Sequence, residues 1–337
     1  MTRQALQKYR QPCFHITEHR LRKAKKPEQQ EEEEKYVPPL DDFERPRLSD
    51  IAGNKAFKEK LELIVESMLR PQLYQLFGLE PDKTFLLSGP PGSGKTYAVR
   101  AMRNELAARG KNVLWAPYSI GQHGTAYINM NSVILQNFFD QTRSLINKGS
   151  YDIRFMFFDE AEVIMGKRGN ERESKEDKKL LNTLMTNLQD INSHADNTYI
   201  FFATNFKDAM DSASLRAGRI DNQIEFPMPD LEARTDAYAK EIAHYNGKAG
   251  YQVLRGLEPC TLAMMSSDLT YADIHAIVEG GIRERLKQVL KERDDMLIPQ
   301  VYVTERRLLE MIKDHRREHY KNNEYFGGEH REVGFKK

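Results

Sequence analysis

Apolar residues along this chain recur with two different periods. Between residues 54 and 69, Phe57, Leu61, Ile64, Val65 and Met68 fall three or four apart, the spacing of one helical face, and Pro71 closes the run. Short, strongly apolar runs follow at Thr84–Ser88, Asn112–Pro117, Ile153–Asp159 and Thr198–Ala203, with a briefer one at Gln223–Phe226. Their length and composition are those of strands buried on both faces. Helical patterns over Lys95–Arg109, Asn131–Ile146 and Leu180–Leu188 separate them, and the charged stretch 166–179 reads as a loop. Strands alternating with helices predict an α/β fold, a parallel sheet sandwiched by helices. Beyond Pro229 the pattern is helical only: Leu231–Tyr245, a short piece around Leu257–Met265, Tyr271–Arg293 and Thr304–Arg316. Thr270 and Asp273 are spaced as a capping box, ahead of a stripe of Ile274, Ile277, Ile282, Leu286 and Val289. The organisation predicted is an arm over 1–40, an α/β unit over 41–229, a small helical lid over 230–315 and a polar tail over 316–337.

Charge changes the picture only at the N-terminus. The chain nets +1, yet Met1–Lys26 carries eight Lys/Arg against one Glu, and Pro27–Lys35 then brings five glutamates in nine residues. Such a block is ordinarily a solvated arm, and it would also suit docking to an acidic partner, nucleic acid included. No apolar run reaches the length of a membrane span. Two distant cysteines, Cys13 and Cys260, fit a reducing intracellular compartment, such as the cytoplasm, better than a disulfide scaffold. Cys13, His15 and His19 are one donor short of a tetrahedral zinc site.

The chemistry is concentrated at Gly89-Pro90-Pro91-Gly92-Ser93-Gly94-Lys95-Thr96, between the first apolar run and a helical pattern. Glycines at these intervals let successive backbone N–H groups turn toward phosphates. Lys95 would reach the β and γ phosphates of ATP, and the Thr96 hydroxyl would reach Mg²⁺. Phe158-Asp159-Glu160 ends another strand in two acids, which suits Asp159 to Mg²⁺ and Glu160 to polarising the attacking water. A third strand ends in Asn205, whose amide could fix that water or sense the γ-phosphate. Arg216 and Arg219 follow, around Gly218.

Together these spacings resemble the ATPases Associated with diverse cellular Activities, and within them the AAA-proper branch that holds the proteasomal and katanin-like ATPases. The resemblance runs from Leu48 to about Ile312. Ser49-Asp50-Ile51-Ala52-Gly53 is similar to the branch's Asp-Ile-Gly-Gly segment beside the adenine, which implies base contacts from Ile51 and Ala52. The loop residues from Gly89 to Thr96, with Tyr97, complete the nucleotide-binding set. Asn205 takes the place of sensor 1, and Arg216 and Arg219 the place of paired arginine fingers reaching the neighbouring subunit's ATP. Tyr271-Ala272-Asp273 stands where the branch has Gly-Ala-Asp. Tyr127 and Ile128 align with the aromatic-hydrophobic-Gly pore loop that grips a polypeptide, with Asn129 in place of glycine; a buried core tyrosine is the competing reading of Tyr127. Gln189-Asp190-Ile191 replaces the Asp-Gly-Phe that reports a neighbour's nucleotide state.

The resemblance implies a homo-oligomeric ring, usually a hexamer, that couples ATP hydrolysis to remodelling of a protein substrate, with or without an adaptor. Two other classes stay open: a nucleic-acid-associated loader or initiator, suggested by the basic arm, and a nucleotide-controlled assembly scaffold, suggested by Gln189. Gly334-Phe335-Lys336-Lys337 lacks the hydrophobic-Tyr-any ending of proteasomal ATPases, which sets the expectation of a role apart from proteolysis.

Overall fold

The structure is a computed structural model, and it describes residues 46–53, 55–118, 131–149, 151–166, 175–193, 197–207, 220–292 and 302–326, all within one compact unit, Tyr36–Lys337. Five strands, β1 (Thr84–Ser88), β2 (Val113–Tyr118), β3 (Ile153–Phe158), β4 (Thr198–Thr204) and β5 (Asn222–Glu225), form one parallel sheet in the order β2-β3-β4-β1-β5. Because side chains alternate across a strand, an unbroken apolar run feeds two cores at once. Phe85, Leu87, Phe155, Phe157 and Phe201 face one side, against helices α1 (Lys55–Leu69) and α3 (Lys95–Ala108). Leu86, Met156, Phe158, Ile200 and Phe202 face the other, against α4 (Asn131–Asn147) and α6 (Lys175–Ser193). Each such side chain, fully buried, contributes about 1.5–3 kcal/mol.

Registry aligns the strand ends: Ser88 lies beside Thr204, and Phe158 beside Phe202. The segments leaving β1, β3 and β4 therefore emerge along one edge of the sheet, and this edge is where a parallel sheet presents its ligand site.

The expected strands are all present. Among the helices, two short ones were not anticipated: α2 (Pro71–Leu76), for which Pro71 serves as the first residue, and α5 (Glu162–Met165). Proline ends one helix and suits the first turn of the next, where no N–H partner is needed. Helix α6 begins at Lys175 instead of Leu180 and runs through Ser193. Its charged first turn had the look of a loop. Gln189, Asp190 and Ile191 are accordingly helical, with Ile191 buried and Asp190 accepting from Arg143 Nη2 at 2.5 Å.

A third core lies among α7 (Leu231–Ala249), α8 (Pro259–Met265), α9 (Tyr271–Glu292) and α10 (Glu305–Phe326). Tyr238, Leu262, Ile274, Val278, Leu308 and Ile312 are fully covered there. The capping box forms as expected: the Thr270 N–H and hydroxyl each donate to Asp273 Oδ2 at 2.8 Å, and Asp273 N–H returns to Thr270 Oγ1 at 3.3 Å. The apolar stripe of α9 is buried only in its first half, since Leu286 is 49% exposed. Helix α10 continues ten residues past the expected end at Arg316, to Phe326.

Candidate functional site: a cleft between sheet edge and lid

The glycine loop is shaped by what presses on it. An added Cβ at Gly89, where φ is +155°, would lie 2.2 Å from the Phe226 carbonyl oxygen. At Gly92, with φ +74°, it would lie 2.5 Å from Thr270 Oγ1. Neither position accepts a side chain, so the sequence must place glycine at both. Ala272 N–H donates to Gly92 O at 3.2 Å, which seats the loop directly on the start of α9. Behind the loop, the first turn of α3 at Lys95, Thr96 and Tyr97 offers backbone N–H groups and the positive end of a helix dipole to an anion.

Lys95 is nearly buried, and its ammonium donates to Gly89 O at 2.8 Å, Pro90 O at 2.9 Å and Asn205 Oδ1 at 2.8 Å. Burial lowers its pKa, opposed by the negative charges of Asp159 and Glu162. The hydroxyl of Ser93, in the same loop, is buried without a hydrogen-bond partner. An orphan donor, a row of N–H groups and a buried cation fit a polyphosphate.

At the end of β3, Asp159 and Glu160 are both exposed to solvent. Glu160 N–H donates to Asp159 Oδ1 at 3.0 Å, and Glu160 is the sole non-glycine among the described residues with positive φ, at 52°. A left-handed conformation at a residue other than Gly, Asn or Asp carries a strain of about 1–3 kcal/mol and marks functional positions. Ala161 N–H on Ala203 O, at 2.9 Å, anchors the turn to β4. Asp159 and Thr96 line the same cleft, as a shared cation bound to phosphates would require. No cluster of three or more His, Cys, Asp or Glu able to hold a metal by itself occurs among the described residues. Mg²⁺ that keeps its waters and takes phosphate oxygens needs no such cluster.

The cleft, of about 980 Å³, continues from the loop to a second end bounded by α7, α9 and the lead-in residues 50–53. Here side chains from the lid hold lead-in backbone. Lys240 Nζ donates to Ser49 O at 2.9 Å and Ile51 O at 2.8 Å; Asp236 Oδ2 accepts from Gly53 N–H at 3.4 Å; the Tyr271 hydroxyl donates to Ala52 O at 3.1 Å. Asp236 also pairs with Lys58 at 3.3 Å and Lys240 at 3.1 Å. Burial raises its carboxyl, and the two lysines more than reverse this, leaving its pKa lowered. Sequence reasoning named Ile51 and Ala52 but missed Asp236 and Lys240, which belong to an unremarkable helix face 183 or more residues away from the lead-in backbone groups they hold.

Of the sequence-derived site residues, the structure brings Ile51, Ala52, Pro91–Tyr97, Asp159 and Asn205 to one cleft. Arg216, Arg219, Tyr127, Ile128 and Asn129, like the arm with Cys13, His15 and His19, lie outside the described residues.

Comparison with known proteins bears on the family of the chain. Residues 85–228 match the ATPase family associated with various cellular activities (AAA). The proteasome-activating nucleotidase of Pyrococcus horikoshii is 30% identical over 282 residues, which cover 81% of this chain and 66% of that protein. The chain belongs to the AAA family of ATPases. The 26S proteasome regulatory subunit 7 homolog of Saccharomyces cerevisiae is 31% identical over 253 residues, 73% of this AAA chain and 50% of the yeast protein. Homolog B of that subunit in Arabidopsis thaliana is 34% identical over 240 residues, 69% of this chain and 47% of the plant protein. The chain thus spans about half to two-thirds of the length of these relatives. No helix among the described residues is long and apolar enough to cross a membrane.

Proposed function

We propose that this AAA chain hydrolyses ATP to ADP and phosphate within a homo-oligomeric ring, and uses the cycle to unfold, remodel or disassemble a protein substrate. The observation that carries the reading is the convergence of Lys95, Asp159 and Asn205 around the glycine loop, from the start of α3 and the ends of β3 and β4. On phosphate binding, Lys95 would exchange its carbonyl partners for β and γ phosphate oxygens. Thr96 and Asp159 would hold Mg²⁺, which when bound neutralises phosphate charge. Glu160 would orient and polarise water, and Asn205 would fix that water against the γ-phosphate. Arg216 and Arg219 of a neighbouring copy would stabilise the charge developing on transfer. Leu76, Phe77 and Leu79, exposed apolar side chains at the end of α2 and just after it, are suited to such a neighbour. Tyr127 and Ile128 would grip the polypeptide in the pore.

Similarity to proteasome-activating nucleotidases supports a polypeptide, rather than a nucleic acid held by the basic arm, as the cargo, and it supports testing a proteasome as a partner. The two-cysteine composition supports a reducing compartment. Glu160→Gln should retain ATP affinity within about twofold and lower turnover by about 10²–10⁴, measured as nucleotide binding and phosphate release on one sample; wild-type turnover would overturn the reading. Rings of the Glu160→Gln variant should retain a protein substrate, while steeply salt-dependent retention of DNA or RNA would favour the loader class.

A further inference from the structure

Tyr271 stands where a nucleoside has to pass. If the phosphates sit at the glycine loop, which is the reading proposed above and the one on which this inference rests, the attached nucleoside must extend from the α3 N-terminus toward the lead-in segment and α7. The Tyr271 ring lines that path, between Gly94 and Gly53. Its Cδ2 would be 3.9 Å from a Cβ added at Gly94, and its hydroxyl would be 3.0 Å from a Cβ added at Gly53. One phenol ring therefore reaches from the phosphate loop to the lead-in segment, and its hydroxyl ends on the Ala52 carbonyl at 3.1 Å.

We propose that Tyr271 is a latch on the nucleoside half of the cleft: its hydroxyl holds the Ala52 carbonyl, and a nucleotide settles only after displacing the ring. Three observations separate a latch from a structural tie. The other lead-in groups are already held by α7, Ser49 O and Ile51 O by Lys240 and Gly53 N–H by Asp236, so the segment keeps its place when Tyr271 lets go. Tyr271 is the first residue of α9, and the capping box of Thr270 and Asp273 holds that helix start independently of the ring. The phenol is also a donor throughout the neutral range, since burial, with the charges of Asp230 and Asp236, pushes its pKa up to about 12. The latch makes this site discriminate by the energy of opening, a toll levied on nucleosides and not on bare phosphates.

The test compares the full chain with Tyr271→Phe, which keeps the ring and loses the hydroxyl, and Tyr271→Ala, which loses both. Affinities are measured calorimetrically for ADP, a non-hydrolysable ATP analogue and inorganic tripolyphosphate. One hydrogen bond of this kind holds a state by about two- to tenfold. Tyr271→Phe should therefore tighten both nucleotides by about that factor, Tyr271→Ala by at least as much, with tripolyphosphate unchanged within twofold. Should Tyr271→Ala fail to fold, Tyr271→Phe decides alone. Weaker nucleotide binding by Tyr271→Ala with none of this tightening in Tyr271→Phe would make the ring a stacking wall and overturn the latch, as would equal shifts for tripolyphosphate or no shift at all. Binding of neither nucleotide nor tripolyphosphate by the unmutated chain would instead overturn the phosphate-site reading itself.

Discussion

The two ends of the cleft are built by different means. At the phosphate end, recognition comes from backbone: glycines at Gly89 and Gly92 that tolerate no Cβ, N–H groups at the start of α3, and one buried ammonium. At the nucleoside end, side chains of α7 and α9 reach across to backbone groups of residues 49–53. Backbone recognition constrains which residue types stand at adjacent positions, whereas the side-chain clasp constrains pairs remote in sequence. The first is common to any polyphosphate, and the second can set how a particular nucleotide enters.

Lys95→Ala should separate the ends most strongly. It removes charge-assisted hydrogen bonds worth about 1.5–3 kcal/mol, so affinity for ATP and for tripolyphosphate should fall together by about ten- to a hundredfold in calorimetric titration. A loss confined to ATP would place Lys95 with the nucleoside end and erase the contrast. Lys240→Met keeps the aliphatic stem but removes both contacts with Ser49 O and Ile51 O. A looser lead-in segment should weaken ATP several-fold, about 1 kcal/mol for the lost pre-organisation, and leave tripolyphosphate alone; parallel weakening of both would show the ends to be one unit.

The smallest effect should come from Asp273→Asn at the point where loop and lid meet. Burial raises the Asp273 carboxyl, but the Thr270 N–H and hydroxyl and the His315 contact bring its pKa below the ordinary value. A carboxylate with a depressed folded-state pKa adds stability that is complete above its unfolded pKa and is lost as pH falls through the folded one. The unmutated protein should therefore lose lid stability below about pH 4. Asp273→Asn should lower stability at neutral pH by about 1 kcal/mol, the value of a helix cap, and flatten this acid limb in denaturant titrations. An unchanged acid limb would assign the pH dependence to other carboxylates.

How legible the molecule was in its sequence follows the same division. The loop from Gly89 to Thr96 and the acids after β3 declare themselves because their chemistry needs fixed local spacing. Strands were readable because β1, β3 and β4 are apolar through most of their length, with Arg154 the one charged residue among them. The start of α6 was hidden since Lys178 and Lys179, exposed on its first turns, look the same in a helix as in a loop. Tyr271 was visible only as a departure from glycine, and nothing local to it announces a partner 219 residues away at Ala52. Asp236 and Lys240 had no signal at all, being one turn apart on a helix in a pairing that any solvated surface could carry.

Arg154 ties β3 to β4 and to α4. It is fully buried in an otherwise apolar strand, where its guanidinium donates to Thr198 Oγ1 at 2.9 Å, Thr142 Oγ1 at 2.8 Å and Phe139 O at 3.2 Å. Buried charge persists only when hydrogen-bonded in this way. Those acceptors belong to β4 and to α4, the helix that follows residues 119–130 directly in the chain. If that stretch bears tension from a polypeptide, as proposed for Tyr127 and Ile128, α4 takes the recoil first. Arg154 then works as a rivet: it carries the load from one helix into the centre of a five-stranded sheet, where it is shared among parallel ladders and the pulling stroke does not peel the helix from its seat.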